Sequence, residues 1–167
     1  MASTEHYLTH EDIHPIDIVE HLASVNQWDF DRVSDEQIAM AIEGVWKTYS
    51  LSLAWSGQDE TLRSICTFEM DLPPEAMGQL YEALDHANDM CWTGAFTYWR
   101  EQKLMVFRYG LNLAGGASAT PDQIDAMVHT AVQACERFYP AFQLVAWSGR
   151  TPAEAMQVAL TEAYGRA

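Results

Sequence analysis

Positive charge is scarce in this chain: Lys and Arg together number 9 against 24 Asp and Glu, a formal net charge of -15. A field of that sign repels phosphate backbones and anionic headgroups, so neither nucleic acid nor a membrane surface is an expected partner. Cysteine is also scarce. Cys66, Cys91 and Cys135 are odd in number, far apart and outside any C-x-x-C pair, which argues against a disulfide framework or a zinc ribbon and favours a reducing compartment. No apolar run reaches the length of about eighteen residues that spans a bilayer, and the first residues lack the basic and apolar segments of a leader. A cytoplasmic protein is therefore expected. Phosphate-cradling glycine spacings are missing as well, and Gly115-Gly116 reads as a hinge ahead of a helix.

What is present is apolar periodicity. With 167 residues and 49% hydrophobic content the chain can bury one substantial core. The reading is a flexible N-terminal tail over 1–14 and a single domain over 15–167. Pro15 suits the first turn of a helix, and Ile16, Val19, Leu22 and Ala23 give that helix one apolar face to about Val25. Strand-like runs follow at 28–33, 37–43, 45–55 and 61–70. In the third of these Tyr49, Leu51, Leu53 and Trp55 alternate with Ser50, Ser52 and Ala54. Pro73 and Pro74 open a second helix reaching about Met90, and a further hairpin is expected from 95–99 and 104–113. Thr120-Pro121-Asp122-Gln123 carries a capping-box start, and Thr151-Pro152-Ala153-Glu154 repeats the device. Between them Pro140 is expected to bend or end the third helix. The element order α-β-β-β-β-α-β-β-α-α makes an α+β fold, an antiparallel sheet of five to six strands packed by helices.

Several motifs invite chemistry and do not support it. His10-Glu11-Asp12-Ile13-His14 spells the zinc-protease H-E-x-x-H, whose histidines need one continuous helix to share a metal. Pro15 biases His14 away from helical dihedrals, so no metal site is assigned. Asp29, Asp31 and Asp35 have part of a calcium-loop spacing without its glycine or distant glutamate. Cys66 shares a strand face with Leu62 and Phe68 and reads as core. No nucleophile, base and orienting group can be named together, so no catalytic residue and no cofactor is expected.

The second face of the sheet is more informative. If Tyr49, Leu51 and Leu53 face the helices, Trp46, Thr48, Ser50 and Ser52 face away, joined by Arg63, Ile65, Thr67 and Glu69 and by Leu104, Val106 and Arg108. Such a mixture of apolar and charged groups suits a surface that docks another protein or a peptide, with Trp46, Arg63, Glu69 and Arg108 as candidate contact residues. The alternative is a small-molecule sensor with a pocket between the second helix and the sheet, lined by Tyr81, Trp92, Phe96 and Trp99.

The strings Trp28-Asp29-Phe30-Asp31-Arg32, Gln37-Ile38-Ala39-Met40, Cys66-Thr67-Phe68-Glu69-Met70, Trp92-Thr93-Gly94-Ala95-Phe96, Phe107-Arg108-Tyr109-Gly110 and Ala163-Tyr164-Gly165-Arg166 resemble the YbjN family of bacterial sensory transduction regulators. The resemblance covers nearly all of the chain after Pro15. It implies a fold similar to type III secretion chaperones, a homodimer as the usual assembly, and no established enzyme activity. It supplies no site residues to transfer. The extra C-terminal helices, from about Phe142 onward, exceed the basic chaperone-like pattern and would cover a surface that a secretion chaperone leaves open. The expected function is a non-enzymatic, protein-binding regulator of a sensory or stress response.

Overall fold

Pro15 opens the first helix because its missing N–H falls where no intrahelical acceptor exists. The imidazole Nδ1 of His14 accepts from the Ile16 N–H at 3.2 Å, and His14 itself is extended, with φ -57° and ψ 134°. The helix thus begins after His14, while His10, Glu11 and Asp12 of the zinc-protease spelling lie outside the described residues. The computed structural model of the chain describes residues 13–164, with side chains followed to Thr161; nearly all of the 1–14 segment lies outside the described residues.

The elements are α1 (Pro15–Val25), β1 (Asp29–Ser34), β2 (Gln37–Glu43), β3 (Thr48–Ser56), β4 (Thr61–Glu69), α2 (Met77–Asp89) entered through a short 3-10 turn, β5 (Ala95–Trp99), β6 (Leu104–Asn112), α3 (Pro121–Trp147) and α4 (Pro152–Tyr164). All strands pair antiparallel in one six-stranded sheet of order β1-β2-β3-β4-β6-β5. The first four form a meander. After α2 the chain returns at the sheet edge as β5 and turns inward, so that β6 lies beside β4.

Period-two burial sets which face each strand shows the helices. Tyr49, Leu51 and Leu53 on β3 and Leu62, Cys66 and Phe68 on β4 are buried. Each of the large ones contributes about 1.5–3 kcal/mol by leaving water, and a slip of one residue would expose the whole set. Helix α1 packs on β1, β2 and β3, α3 on β4 and β6, and α2 on β5, while α4 rests against α3 and α2. Phe96, Phe107, Phe138 and Phe142 meet edge to face at 4.9–5.6 Å where α3 crosses β5 and β6. Cys66 and Cys135 lie in this core as free thiols, with the Cys135 S–H donating to Cys66 Sγ at 3.7 Å.

Helix α3 starts with the expected capping box: the Gln123 N–H donates to Thr120 Oγ1 at 3.1 Å, and the Thr120 N–H donates to Gln123 Oε1 at 2.9 Å. Thr151 and Glu154 reproduce that arrangement at α4. Of the two outcomes expected at Pro140, a bend or an end, the end does not occur: α3 runs through it to Trp147. Phe138, Ala141, Phe142 and Val145 bury an uninterrupted stripe on both sides of it, and that burial outweighs the roughly 3 kcal/mol of a proline in a helix interior. No helix among the described residues is long and apolar enough to cross a membrane.

Candidate functional site

Among the described residues all helices lie on one face of the sheet, and the other face carries a register of mostly short side chains between charged groups. One row across it reads Asp31, Ala39, Ser52, Ile65, Arg108 and Ala95, and the next reads Asp29, Ala41, Ser50, Thr67, Val106 and Thr97. Asp29 and Asp31 stand on β1, and Arg63 and Arg108 on β4 and β6, with four strand spacings or about 19 Å from β1 to β6. Arg63 and Arg108, both candidate contact residues, share a groove of about 560 Å³ with Ile65, Ala95 and Trp99. Arg63 Nη2 is held by Asp59 Oδ2 at 2.6 Å. Hydrogen bonds from Ser56 and then Arg63 keep the exposed Asp59 carboxyl below its ordinary range. Arg108 is exposed and makes no ion pair among the described residues.

Glu69 lies on the same face, paired in register with Leu104, but six residues along β4 from Arg63 and so about 20 Å away. Its backbone carbonyl accepts from Lys47 Nζ at 3.5 Å. Trp46 is not on this face. The third strand begins at Thr48, not at Val45, and residues 44–47 turn over the end of the sheet toward α3. There the Trp46 ring stacks on Tyr139, with centroids 6.3 Å apart.

Glu136 of α3 is the cause. Its carboxylate accepts from the Val45 N–H at 3.0 Å, the Trp46 N–H at 3.3 Å and the Tyr49 hydroxyl at 2.5 Å. Two amides of the turn and a hydroxyl of β3 converge on one side chain, and a Cβ at Gly44 would overlap both the carboxylate and the Tyr49 ring. Burial, reinforced by the hydrogen bond to Glu136, pushes the Tyr49 phenol far above its ordinary value, so it remains a donor.

The four residues of the alternative pocket do not converge. Phe96 points into the core, Trp99 lies on the open face beside the Arg63–Arg108 groove, and Tyr81 is exposed on α2. Parity along β5 separates Phe96 from Trp99, since three residues apart on a strand means opposite faces. The same parity, with Trp99 opposite Leu104, is the signal that would have joined Trp99 to Arg108. Trp92 is 99% exposed in the loop between α2 and β5. That loop is pinned at both ends. The Asn88 side chain accepts from the Phe96 N–H at 2.6 Å and donates to its carbonyl at 3.0 Å. Gly94, at φ +106°, brings the backbone so close to the Phe107 ring that a Cβ would collide with it.

Comparison with known proteins gives two findings. The profile of the YbjN family, described as "Putative bacterial sensory transduction regulator", matches residues 15–144. The crystal structure of YbjN, a putative transcription regulator from E. coli, superposes with a TM-score of 0.51 at 12% identity, covering 90% of this chain and 93% of that one. At that identity the likeness speaks for the fold. No curated protein matches the chain.

Proposed function

This chain belongs to the YbjN family, and on that premise we propose that it is a non-enzymatic cytoplasmic regulator that works by protein contact through its open sheet face, with a second copy of itself as the first occupant. The observation that carries the reading is the charge and size pattern of that face. A two-fold axis lying along β3 between two facing sheets exchanges the strands to either side of it. Asp31 of one copy then meets Arg108 of the other, Ala39 lies under Ile65, and Ser52 faces Ser52. In that row small opposes large and acid opposes base, as an isologous contact requires, while in the next row Asp29 meets Val106.

Other features agree with a scaffold role. The clustered carboxylates are engaged in architecture: Glu136 on the turn at 44–47, Asp17 and Glu20 on Arg32, Asp59 on Arg63. Three unpaired thiols, two of them adjacent in the core, suit a reducing cytoplasm. The test is the mass of the protein in solution by light scattering after size exclusion. A dimer is expected for the native chain, a monomer for Arg63→Glu with Arg108→Glu, and a restored dimer when Asp29→Lys and Asp31→Lys are added. A native monomer, or a dimer indifferent to the double reversal, would remove this face from the account.

A further inference from the structure

Arg137 is the only Lys or Arg of α3, and it lies on the side of the helix turned toward the loop between α2 and β5. Its Nε is buried without a hydrogen-bond partner. Nη2 touches Met90 Sδ at 3.8 Å, and the guanidinium carbon sits 5.1 Å from the Phe138 ring centroid. The ion pairs of the described residues involve Arg32, Arg63, Lys103, His86 and His129, and not Arg137. Arg108 also lacks an ion pair, but it is exposed; what sets Arg137 apart is that part of its guanidinium is buried and unsatisfied. A partly buried guanidinium that has given up water for a sulfur and a ring has donors to spare, and its planar fork matches an oxyanion.

The space in front of it is a cavity of about 340 Å³ lined by Met90, Cys91, Trp92, Thr93, Thr130 and Arg137, among others. Through Thr93, Phe107 and Thr130 it adjoins an apolar cleft of about 190 Å³ that reaches Tyr109, Leu111 and Met127. One end offers a cation and threonine hydroxyls, and the other offers an aromatic and aliphatic wall. Trp92, almost wholly in water on a loop fixed by Asn88 and Gly94, stands at the margin as a stacking surface with nothing stacked on it.

We propose that this is a binding site for a small amphiphilic anion, a carboxylate or phosphate carried on an aromatic or apolar body, with Arg137 on the oxyanion and Trp92 against the body. The cavity is of the size and character that small-molecule sites have, a mostly apolar cleft with a few convergent polar groups. It lies on the helix side of the sheet, so it stands independently of the face through which two copies are proposed to meet.

The experiment uses the full chain with three probes, phenyl phosphate, benzoate and neutral phenol. The readouts are melting temperature, tryptophan fluorescence and the rate of Cys91 alkylation. Cys66 and Cys135 are buried, so Cys91, on the cavity wall, is the thiol a reagent reaches first. At least one of the two anions is expected to raise the melting temperature saturably, change the emission and slow alkylation, while phenol does none of these. Which anion acts separates a carboxylate ligand from a phosphate ligand. Arg137→Met should weaken binding at least tenfold yet melt no lower than the native chain without ligand, because it removes an unpaired charge and keeps the packing. Trp92→Ala should weaken binding with an unchanged melting temperature. No saturable response to either anion, or an equal response in Arg137→Met, would overturn the proposal.

Discussion

Glu136 should be worth far more than an ordinary surface carboxylate, and Tyr49→Phe measures it with little change in shape. Tyr49 is fully buried, and its hydroxyl donates to Glu136 Oε1 at 2.5 Å. The substitution removes that oxygen and leaves the carboxylate with the Val45 and Trp46 amides. Hydrogen bonds to a charged partner contribute about 1.5–3 kcal/mol net, so a loss of about 2 kcal/mol is expected. In a domain of this size each kcal/mol moves the melting temperature by about 2–4 °C, which puts the decrease at about 4–8 °C. Thermal and urea unfolding of Tyr49→Phe, Glu136→Gln and the double variant give a cycle in which the coupling should exceed about 1 kcal/mol, since the two groups share one bond. Additive effects, or a Tyr49→Phe loss within about 0.5 kcal/mol of zero, would refute the view that the turn at 44–47 is tied to α3 through this carboxylate.

Two more outcomes follow from the same region and from the loop of Trp92. The Tyr49 phenol is raised above its ordinary value of 10.0, so the unfolded chain loses that proton before the folded one does. Stability linked to Tyr49 is therefore complete below pH 10 and declines as the pH rises beyond it, and the fall should be shallower in Tyr49→Phe in unfolding titrations. Gly94→Ala adds a Cβ against the Phe107 ring at φ +106°, so it should lower stability by about 1–3 kcal/mol and change the exposure of Trp92 to fluorescence quenchers. An unchanged quenching constant would show that the loop is not held by that contact.

The parts of the fold legible in the sequence are those written locally. Alternation in Tyr49, Leu51 and Leu53 reports the buried face of β3, and Thr120 with Gln123 reports the start of α3, because each signal is carried by residues within one turn or one strand. What escaped depends on distant partners. Trp46 continues the alternation of β3 in the sequence, yet Glu136, ninety residues on, draws its backbone out of the strand. Pro140 is a helix breaker by its chemistry and is overruled by a buried stripe that spans it. Arg63 and Arg108 meet because β6 inserts between β4 and β5, a strand order that adjacent hairpins do not announce. Arg137 is inconspicuous in a helix of apolar periodicity until the loop at 90–94 is seen to close over it.

The central claim is that two copies meet through their open sheet faces, and a cysteine pair tests it most directly. Asp31→Cys and Arg108→Cys, combined with Cys91→Ser, place thiols on β1 and β6, about 19 Å apart within one chain and beyond the reach of an internal disulfide. Across the proposed two-fold they are opposed, so mild oxidation should yield a covalent dimer, closed at two and reversed by reductant, with neither single-cysteine control doing so. A chain that stays monomeric, or that links into ladders of increasing length, would contradict the two-fold contact.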